Sequence, residues 1–421
     1  MSTCAVSSLT LGLEEEVFIT TPTRPTLDAL YALAKLLWRN PRDYYKHTAS
    51  NFARGRDARQ CLMSSVEITT RPHTDIDALL DELRTHRAAL ADAAGDAYIV
   101  PVGHLFDLDA PTNTAGLHIH VGVPAERRQT VYANLAYFLP LLILLSASSP
   151  YAGGRSFGQS YRVASSFAIG VLRDDPYYRF QDLILSRRLG TIEIRACDPI
   201  WDLARLRVLL EAVQAIAQLP TACPIDRARY AALRHQAARI GYTPDLQALH
   251  RELSTVYAIP EALLKTTIAD ELRGCVQAFQ PSPPVSPAYG RVGLWSAEAK
   301  LPPNAEAALQ HSKRLPATPL SHCVGEGLGV RVKKTDISQQ ALLHLYARLD
   351  HAYRTGRWEP VAPHAVRPSA WRGVLGLLGY YLPRLPYTAY KAWAEWRAPI
   401  RDGYLLTETA AGDPTVCRAD S

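Results

Sequence analysis

Four short stretches of this chain carry acidic or imidazole side chains at alternating positions, with apolar residues between them. They read GLEEEVF at 12–18, VEIT at 66–69, LHIHV at 117–121 and TIEIRA at 191–196. Successive side chains of a β-strand point to opposite faces of its sheet, so the alternation predicts four strands with one polar and one apolar face. In a single antiparallel sheet, the shared polar face would present Glu14, Glu16, Glu67, His118, His120, Glu193 and Arg195.

A face with so many carboxylates is unfavourable to bury unless cations neutralise it. Carboxylate-rich sites select hard cations, chiefly Mg²⁺ and also Mn²⁺. Because protein-bound Mg²⁺ commonly bridges carboxylates and substrate phosphates, the pattern predicts a nucleotide as well as a metal.

Each stretch taken alone has a simpler explanation. The run Glu14–Glu16 could be a solvated edge, and the pair His118 and His120 could be satisfied without a metal. Glu67 could be a paired structural carboxylate, and Glu193 with Arg195 could be a local ion pair. The recurrence of one pattern on four strands favours a shared site, because solvated faces do not readily explain it.

Two arginines are candidates for holding phosphate. The chain has no GxxxxGK[ST] motif, and its glycine-rich stretch at 325–329 lacks the following helix and basic residue. Arg155 and Arg162 lie in a glycine-containing segment between the third and fourth predicted strands. Guanidinium groups match two oxygens at once, so we predict phosphate contacts for both, with exposed surface arginines as the alternative.

The rest of the chain predicts a large catalytic core followed by a region of different composition. Residues 1–280 are expected to form that core, with alternating strand-like and helix-like patterns over the first 200 residues and a helical pattern from about 222 to 279. Residues 281–310 are rich in proline and are expected to be a linker or excursion. Residues 311–421 have no assigned role and are expected to pack on the core, with 371–396 as a packed helix or, alternatively, a membrane or partner surface.

Composition excludes several classes of protein. The seven cysteines are widely spaced and form no CxxC, which excludes a disulfide framework and a zinc cluster and favours the cytoplasm. No signal peptide is expected at the N-terminus.

The apolar stretch 129–154 contains proline and serines and predicts a buried core helix, not a transmembrane segment. The net charge of +6 fits anionic small-molecule substrates but predicts no nucleic-acid partner, and a homo-oligomer is compatible with it.

The segments GLEEE, VEITT, GLHIHVG, LSASSPYAGG, SYR and GTIEIRACD occur in this order over roughly residues 8 to 220. In that order they resemble the type 2 glutamate–cysteine ligase family, the carboxylate–amine ligases, and more distantly glutamine synthetase. The resemblance implies an α+β fold, an antiparallel β half-barrel that holds ATP and Mg²⁺ with helices packed outside. Two departures are Ser65, where this family often has glutamine, and residues 281–421, which find no match.

The resemblance also implies roles for individual residues. It implies metal ligands at Glu14, Glu16, Glu67, His118 and Glu193. It implies that His120 and Arg162 lie near the nucleotide phosphates and Arg195 near the substrate carboxylate or acyl phosphate, whereas Arg155 is a phosphate candidate from its sequence context alone. Arg195, Arg162 and Glu67 are the expected catalytic residues.

The function that follows is ATP- and Mg²⁺-dependent amide bond formation between a carboxylate and an amine, with glutamate and cysteine as default substrates. A metal-dependent amidohydrolase is one alternative, since histidines and carboxylates can also activate water on a metal. The other alternative is a degenerate ligase-like protein that binds without catalysis.

Overall fold

The computed structural model describes residues 9–20, 28–39, 65–187, 189–279, 336–366, 370–382, 404–408 and 414–418. All of these residues belong to one compact unit, Met1–Gln280 together with Thr335–Ser421. The predicted proline-rich segment 281–310 and the glycine-rich stretch at 325–329 lie outside the described residues.

The strands of the described part are β1 (Thr10–Thr20), β2 (Ser65–Thr69), β3 (Tyr98–Val100), β4 (Leu117–Gly122), β5 (Tyr151–Ala152), β6 (Arg155–Ser156), β7 (Leu183–Leu185), β8 (Ile192–Cys197), β9 (Tyr404–Glu408) and β10 (Pro414–Arg418). The main sheet has the order β2-β1-β4-β8-β7, and β3 pairs with the far end of β1. All of its pairings are antiparallel. The four predicted strands are therefore consecutive neighbours in one sheet.

The helices of the described part are α1 (Asp28–Arg39), α2 (Ile76–Ala94), α3 (Arg128–Ser146), α4 (Tyr161–Ser165), α5 (Leu203–Gln218), α6 (Arg227–Arg239), α7 (Pro244–Leu253), α8 (Glu261–Lys265), α9 (Ile268–Ala278), α10 (Gln339–Thr355) and α11 (Ala370–Tyr381). Helices α1 and α2 contact β1 and β2, while α3 contacts β7 and β8. An open antiparallel sheet with helices packed against it confirms the predicted α+β fold.

Alternation along the strands decides which face the helices cover. The apolar residues on the face of the four predicted strands that lies opposite the predicted metal ligands are 0–2% exposed and belong to one hydrophobic cluster that includes the helices. These strand residues are Leu11, Leu13, Val17, Ile19, Val66, Ile68, Leu117, Ile119, Val121, Ile192 and Ile194. Burial of such a surface contributes about 25 cal/mol per Å² of apolar area, so the register that keeps it inside is strongly favoured.

Helix α3 is the predicted apolar core helix. Together with the preceding helical turn it forms a segment, Ala125–Ser146, that is long and apolar enough to cross a membrane. Of the 18 most apolar consecutive residues of this segment, 83% are buried inside the fold. Helices α5, α6, α7 and α8 surround it, as expected for the central helix of a protein core.

The C-terminal helices pack on the N-terminal part of the unit. Helix α10 contacts β3, and the Asp350 carboxylate accepts a hydrogen bond of 2.9 Å from the Ile99 amide. Helix α11 packs against α1, where the Trp38 indole donates to the Gly379 carbonyl. Part of the segment predicted as a packed helix at 371–396 is thus helical, and residues 383–396 lie outside the described part.

Candidate active site on the polar face of the sheet

The register of β1 against β4 and of β4 against β8 brings three predicted metal ligands together. Glu14 is the pairing partner of His118, and His120 is the pairing partner of Glu193. The His118 Nδ1 atom lies 3.2 Å from Glu14 Oε2 and 3.6 Å from Glu193 Oε1. One donor atom from each of Glu14, His118 and Glu193 lies within 4.8 Å of the other two.

His120 extends this cluster along β4. Its Nε2 atom lies 3.3 Å from Glu14 Oε1, and its Nδ1 atom lies 3.2 Å from the Thr191 hydroxyl. The ring is therefore fixed between β1 and the start of β8. This contact with Thr191 was not predicted, although Thr191 is the first residue of the TIEIRA stretch and directly precedes β8.

The ionisation of the cluster reflects its crowding. Burial alone would raise the pKa of Glu14, but hydrogen bonds and charge from His118 and His120 hold that pKa well below its ordinary value. Burial also opposes ionisation of Glu193, yet Arg195 and the two histidines lower its pKa. The pKa of His120 is raised, because Glu14 and Glu193 outweigh the opposing effect of burial. Both carboxylates are thus held as anions, the form that binds a metal.

Glu16 and Glu67 lie beside this cluster as a second carboxylate pair. They are pairing partners across β1 and β2, and both are buried. The Gly116 amide donates a hydrogen bond of 2.7 Å to Glu16 Oε2, which fixes that carboxylate against the start of β4. The structure therefore brings all five predicted metal ligands onto one face.

Arg195 projects from β8 onto the same face. Its guanidinium bonds to the Glu193 carboxylate, and its buried Nε atom has no hydrogen-bond partner within the described part of the chain. Burial disfavours its charge, but Glu193 and Glu16 raise the pKa of Arg195 above its ordinary value. A permanent cation with a free donor is suited to a carboxylate or phosphoryl oxygen.

The other two predicted arginines are placed differently. Arg155 lies exposed in the short β5–β6 hairpin, and no contact joins it to the polar face among the residues described. Arg162 is buried in α4, and its guanidinium donates to the backbone carbonyls of Arg195 and Cys197. The phosphate contacts predicted for both remain predictions, and the Arg162 donors observed here serve the backbone of β8.

The donor set fits a hard divalent cation. Mg²⁺ binds oxygen ligands at about 2.0–2.1 Å, so two ligands of one ion lie up to about 4.2 Å apart. The separations of 3.2 and 3.6 Å from His118 Nδ1 to the two carboxylates satisfy this limit. The two carboxylates are ligands that Mg²⁺ and Mn²⁺ prefer, whereas the imidazole is a ligand more typical of transition metals.

Several supporting residues were not predicted. Asp198 is fully buried behind the site, and its Oδ2 atom accepts hydrogen bonds from the Ser148 amide and the Ser149 hydroxyl at 3.0 and 2.9 Å. Burial raises the pKa of Asp198, and Arg162 opposes that effect. The available signal was positional: Asp198 ends the GTIEIRACD segment, and the serines lie in LSASSPYAGG.

Comparison with known proteins gives matches to one family. The family model described as glutamate–cysteine ligase family 2 matches residues 109–166. The protein named "Putative glutamate--cysteine ligase 2" in Ruegeria pomeroyi is 27% identical over 241 residues, which are 45% of this chain and 60% of that protein. The protein of the same name in Bordetella petrii is 30% identical over 270 residues, 50% of this chain and 64% of that protein. In Pseudomonas paraeruginosa a third is 53% identical over 98 residues, 21% of this chain and 25% of that protein. The chain thus spans less than two thirds of these relatives.

Two solved structures match this chain at low similarity. A bifunctional glutathione synthetase from Pasteurella multocida has a TM-score of 0.45 and 14% identity, covering 64% of this chain and 49% of its own. A glutamate–cysteine ligase from Francisella tularensis, in complex with AMP, has a TM-score of 0.43 and 12% identity, covering 65% of this chain and 85% of its own. At these values the fold assignment rests on the strand pairing described above. The family-model match includes the GLHIHVG and LSASSPYAGG segments. Together with the matches to the named relatives it confirms the resemblance: this chain is related to the type 2 glutamate–cysteine ligase family.

Proposed function

We propose that the protein is an ATP- and Mg²⁺-dependent carboxylate–amine ligase that forms a γ-glutamyl-type amide bond, with glutamate and cysteine as default substrates. The observation that carries this proposal is the cluster of Glu14, His118 and Glu193, whose donor atoms lie within 4.8 Å of one another. The cluster stands on the polar face of the sheet beside a buried arginine. The sequence matches support the reaction class.

The carboxylates would hold the metal in two places. Glu14, His118 and Glu193 offer ligands for one ion, and Glu16 with Glu67 offers carboxylates for another. Bound Mg²⁺ would supply positive charge that offsets the phosphoryl oxygens of ATP and aligns them for transfer. Protein groups already hold Glu14 and Glu193 ionised, so little proton release from these two is needed for metal binding.

Arg195 would bind the substrate carboxylate and its phosphorylated form. Its guanidinium is fixed by Glu193, and its Nε donor is free among the described residues. A guanidinium held in place before the reaction stabilises negative charge that develops on the acyl phosphate without further reorganisation.

The reaction has two balanced steps. A carboxylate oxygen of the first substrate attacks the γ-phosphorus of ATP, the bond to ADP breaks, and an acyl phosphate forms. The nitrogen of the second substrate then attacks the acyl carbon, the bond to phosphate breaks, and the amine loses a proton. The products are an amide, ADP and inorganic phosphate.

The direct test measures ADP release by the purified protein with MgATP and single amino acids or pairs, with mass spectrometry of the products. We expect ADP in step with a dehydrated amino-acid pair, and glutamate with cysteine is the first pair to try. Glu193→Gln should abolish ADP release in a folded protein. Glu126→Gln is the matched control, because Glu126 is exposed in the turn before α3.

The other outcomes separate the alternatives. Product formation without ATP would replace the ligase by a metal-dependent amidohydrolase. Binding of MgATP with no turnover of any pair would favour a binding protein. Full activity of folded Glu193→Gln would remove the metal cluster from the mechanism.

A further inference from the structure

Strand β8 carries one more residue than β4 at the edge of the site. Leu117 pairs with Cys197 and Ile119 pairs with Ile194, so His118 alone lies opposite both Arg195 and Ala196. This is the arrangement of a β-bulge, which locally redirects side chains and is common next to active sites. Strict alternation from Glu193 would put Cys197 on the polar face. Arg195 keeps the face that alternation from Glu193 gives it, and the extra residue after Ile194 turns Cys197 to the other face, where it is fully buried in the core.

Arg162 bridges this irregular stretch from α4. Its Nη2 atom donates to the Arg195 carbonyl at 2.8 Å, and its Nη1 atom donates to the Cys197 carbonyl at 3.1 Å. Bulges leave backbone groups outside the regular ladder, and buried carbonyls need donors. The two prongs of one guanidinium supply donors on both sides of the extra residue.

The guanidinium of Arg162 is itself held tightly. It is 2% exposed, and its Nη1 atom lies 3.9 Å from the buried Asp198 carboxylate. Gly116 leaves the necessary space, because a Cβ atom there would overlap the Arg162 guanidinium. The Gly116 amide also donates a hydrogen bond to Glu16. The Arg162 guanidinium therefore packs against the glycine that holds Glu16 and bonds the carbonyl of Arg195.

We propose that Arg162, held by Asp198, is a positioning residue that fixes the bulge of β8 and thereby aims Arg195 and Glu193 into the site. The inference rests on the proposed ligase function and assigns Arg162 a role other than phosphate binding. Its geometric basis is the pair of hydrogen bonds to the Arg195 and Cys197 carbonyls.

Arg162→Lys is the principal test variant. Lysine keeps the charge near Asp198 but lacks the planar fork that reaches two carbonyls at once. We expect kcat/KM for ADP formation to fall about 100-fold, the size of effect that a small misplacement of reacting groups produces. Gly116→Ala is a second variant, which displaces the guanidinium without removing it.

Two readouts distinguish positioning from general destabilisation. Hydrogen–deuterium exchange of a peptide covering residues 192–198 should become faster in both variants, and this measurement needs no turnover. In an Arg195→Lys background, Arg162→Lys should cost about 10-fold less in kcat/KM than in the wild type, because coupled residues are not additive. The matched control is Arg205→Lys, another buried arginine that bonds a backbone carbonyl, that of Thr266, and a carboxylate, Glu271. It should lower stability without changing kcat/KM or exchange at 192–198.

The outcomes are separable. Unchanged exchange at 192–198 in both variants would overturn the positioning role, as would multiplicative effects of Arg162→Lys and Arg195→Lys on kcat/KM. Faster exchange with undiminished activity would show a structural bond alone and would also overturn it. If the wild type forms no ADP with any substrate, the proposed function fails, whereas the exchange experiment still reports whether Arg162 fixes β8.

Discussion

Adjacent glutamates on β1 have opposite environments. Glu15 points into the core with zero exposure, where Arg87 of α2 forms a two-pronged ion pair with it and Tyr353 of α10 donates a hydrogen bond of 3.0 Å. Glu14 points to the other face and meets two imidazoles. The charge of Glu15 is thus balanced by the arginine Arg87, which stays charged and in place. The charge of Glu14 is balanced by two histidines, which a bound metal could replace as its partners. Permanent pairing makes Glu15 structural, and replaceable pairing makes Glu14 a candidate ligand.

The largest effect on stability should come from Arg87→Met. The change leaves the Glu15 carboxylate buried without its cation, which costs about 3–5 kcal/mol of unfolding free energy. Denaturant unfolding measures the loss, and adding Glu15→Leu to the same chain should recover part of it. ADP formation per folded molecule should stay within a few-fold of the wild type. A stable but inactive Arg87→Met protein would contradict the assignment of a structural role to the core face and a catalytic role to the polar face.

Glu14→Gln should produce the converse result. Loss of a residue that merely supports a metal ligand costs about 10- to 100-fold in affinity or activity, so loss of the ligand itself should cost at least about 100-fold. The expected signature is a large loss of Mn²⁺ affinity, followed by calorimetry, with a smaller change in unfolding free energy than Arg87→Met causes. Retained Mn²⁺ affinity would show that the cation binds elsewhere.

A weaker version of the core perturbation is Tyr353→Phe. It removes one hydrogen bond to the buried Glu15 carboxylate and keeps the ring over Arg87, whose guanidinium carbon lies 5.0 Å from the ring centroid. A hydrogen bond to a charged group contributes about 1.5–3 kcal/mol. Thermal unfolding should show a loss in that range with kcat unchanged, and a loss of kcat would mean that the two faces are coupled.

The smallest expected effect is a pH dependence confined to the polar face. The pKa of His120 is raised in the folded state, so its protonation stabilises the metal-free protein below the unfolded pKa of about 6.5. That contribution is lost as pH rises through the folded pKa. His120→Asn should flatten this part of the stability profile, while Glu15→Gln should lower stability without altering its slope there. An unchanged slope in His120→Asn would contradict the assignment.

The two faces of the sheet could be predicted from the sequence because alternation is a local property. Placing Glu14, Glu16, Glu67, His118, His120, Glu193 and Arg195 on one side needs only the period of a strand. The seven side chains are on that side in the structure, and the antiparallel sheet joins their strands. The short strands β3 and β7 were missed, since three apolar residues carry too little pattern to separate a strand from a buried turn or helix.

The supports behind the site could not be predicted for a different reason. Arg87 reaches Glu15 across 72 residues of sequence, and Arg162 reaches Cys197 across 35. Such partners are chosen by packing, and an arginine on a helix looks the same in sequence whether it faces water or a buried carboxylate. The extra residue of β8 could not be predicted either, because TIEIRAC shows regular alternation up to Arg195 and nothing in it marks the bulge.

The hydrogen bond from Tyr353 to Glu15 joins residues separated by 338 positions. During synthesis, the buried Glu15 carboxylate of β1 therefore gains its hydrogen bond from Tyr353 only after most of the chain has left the ribosome. Contacts between such distant segments slow folding, because the intervening chain loses its freedom before the contact is made. Strand β1, which carries Glu14 and Glu16, should accordingly reach its final environment late, and shortened chains ending before α10 should be prone to aggregation.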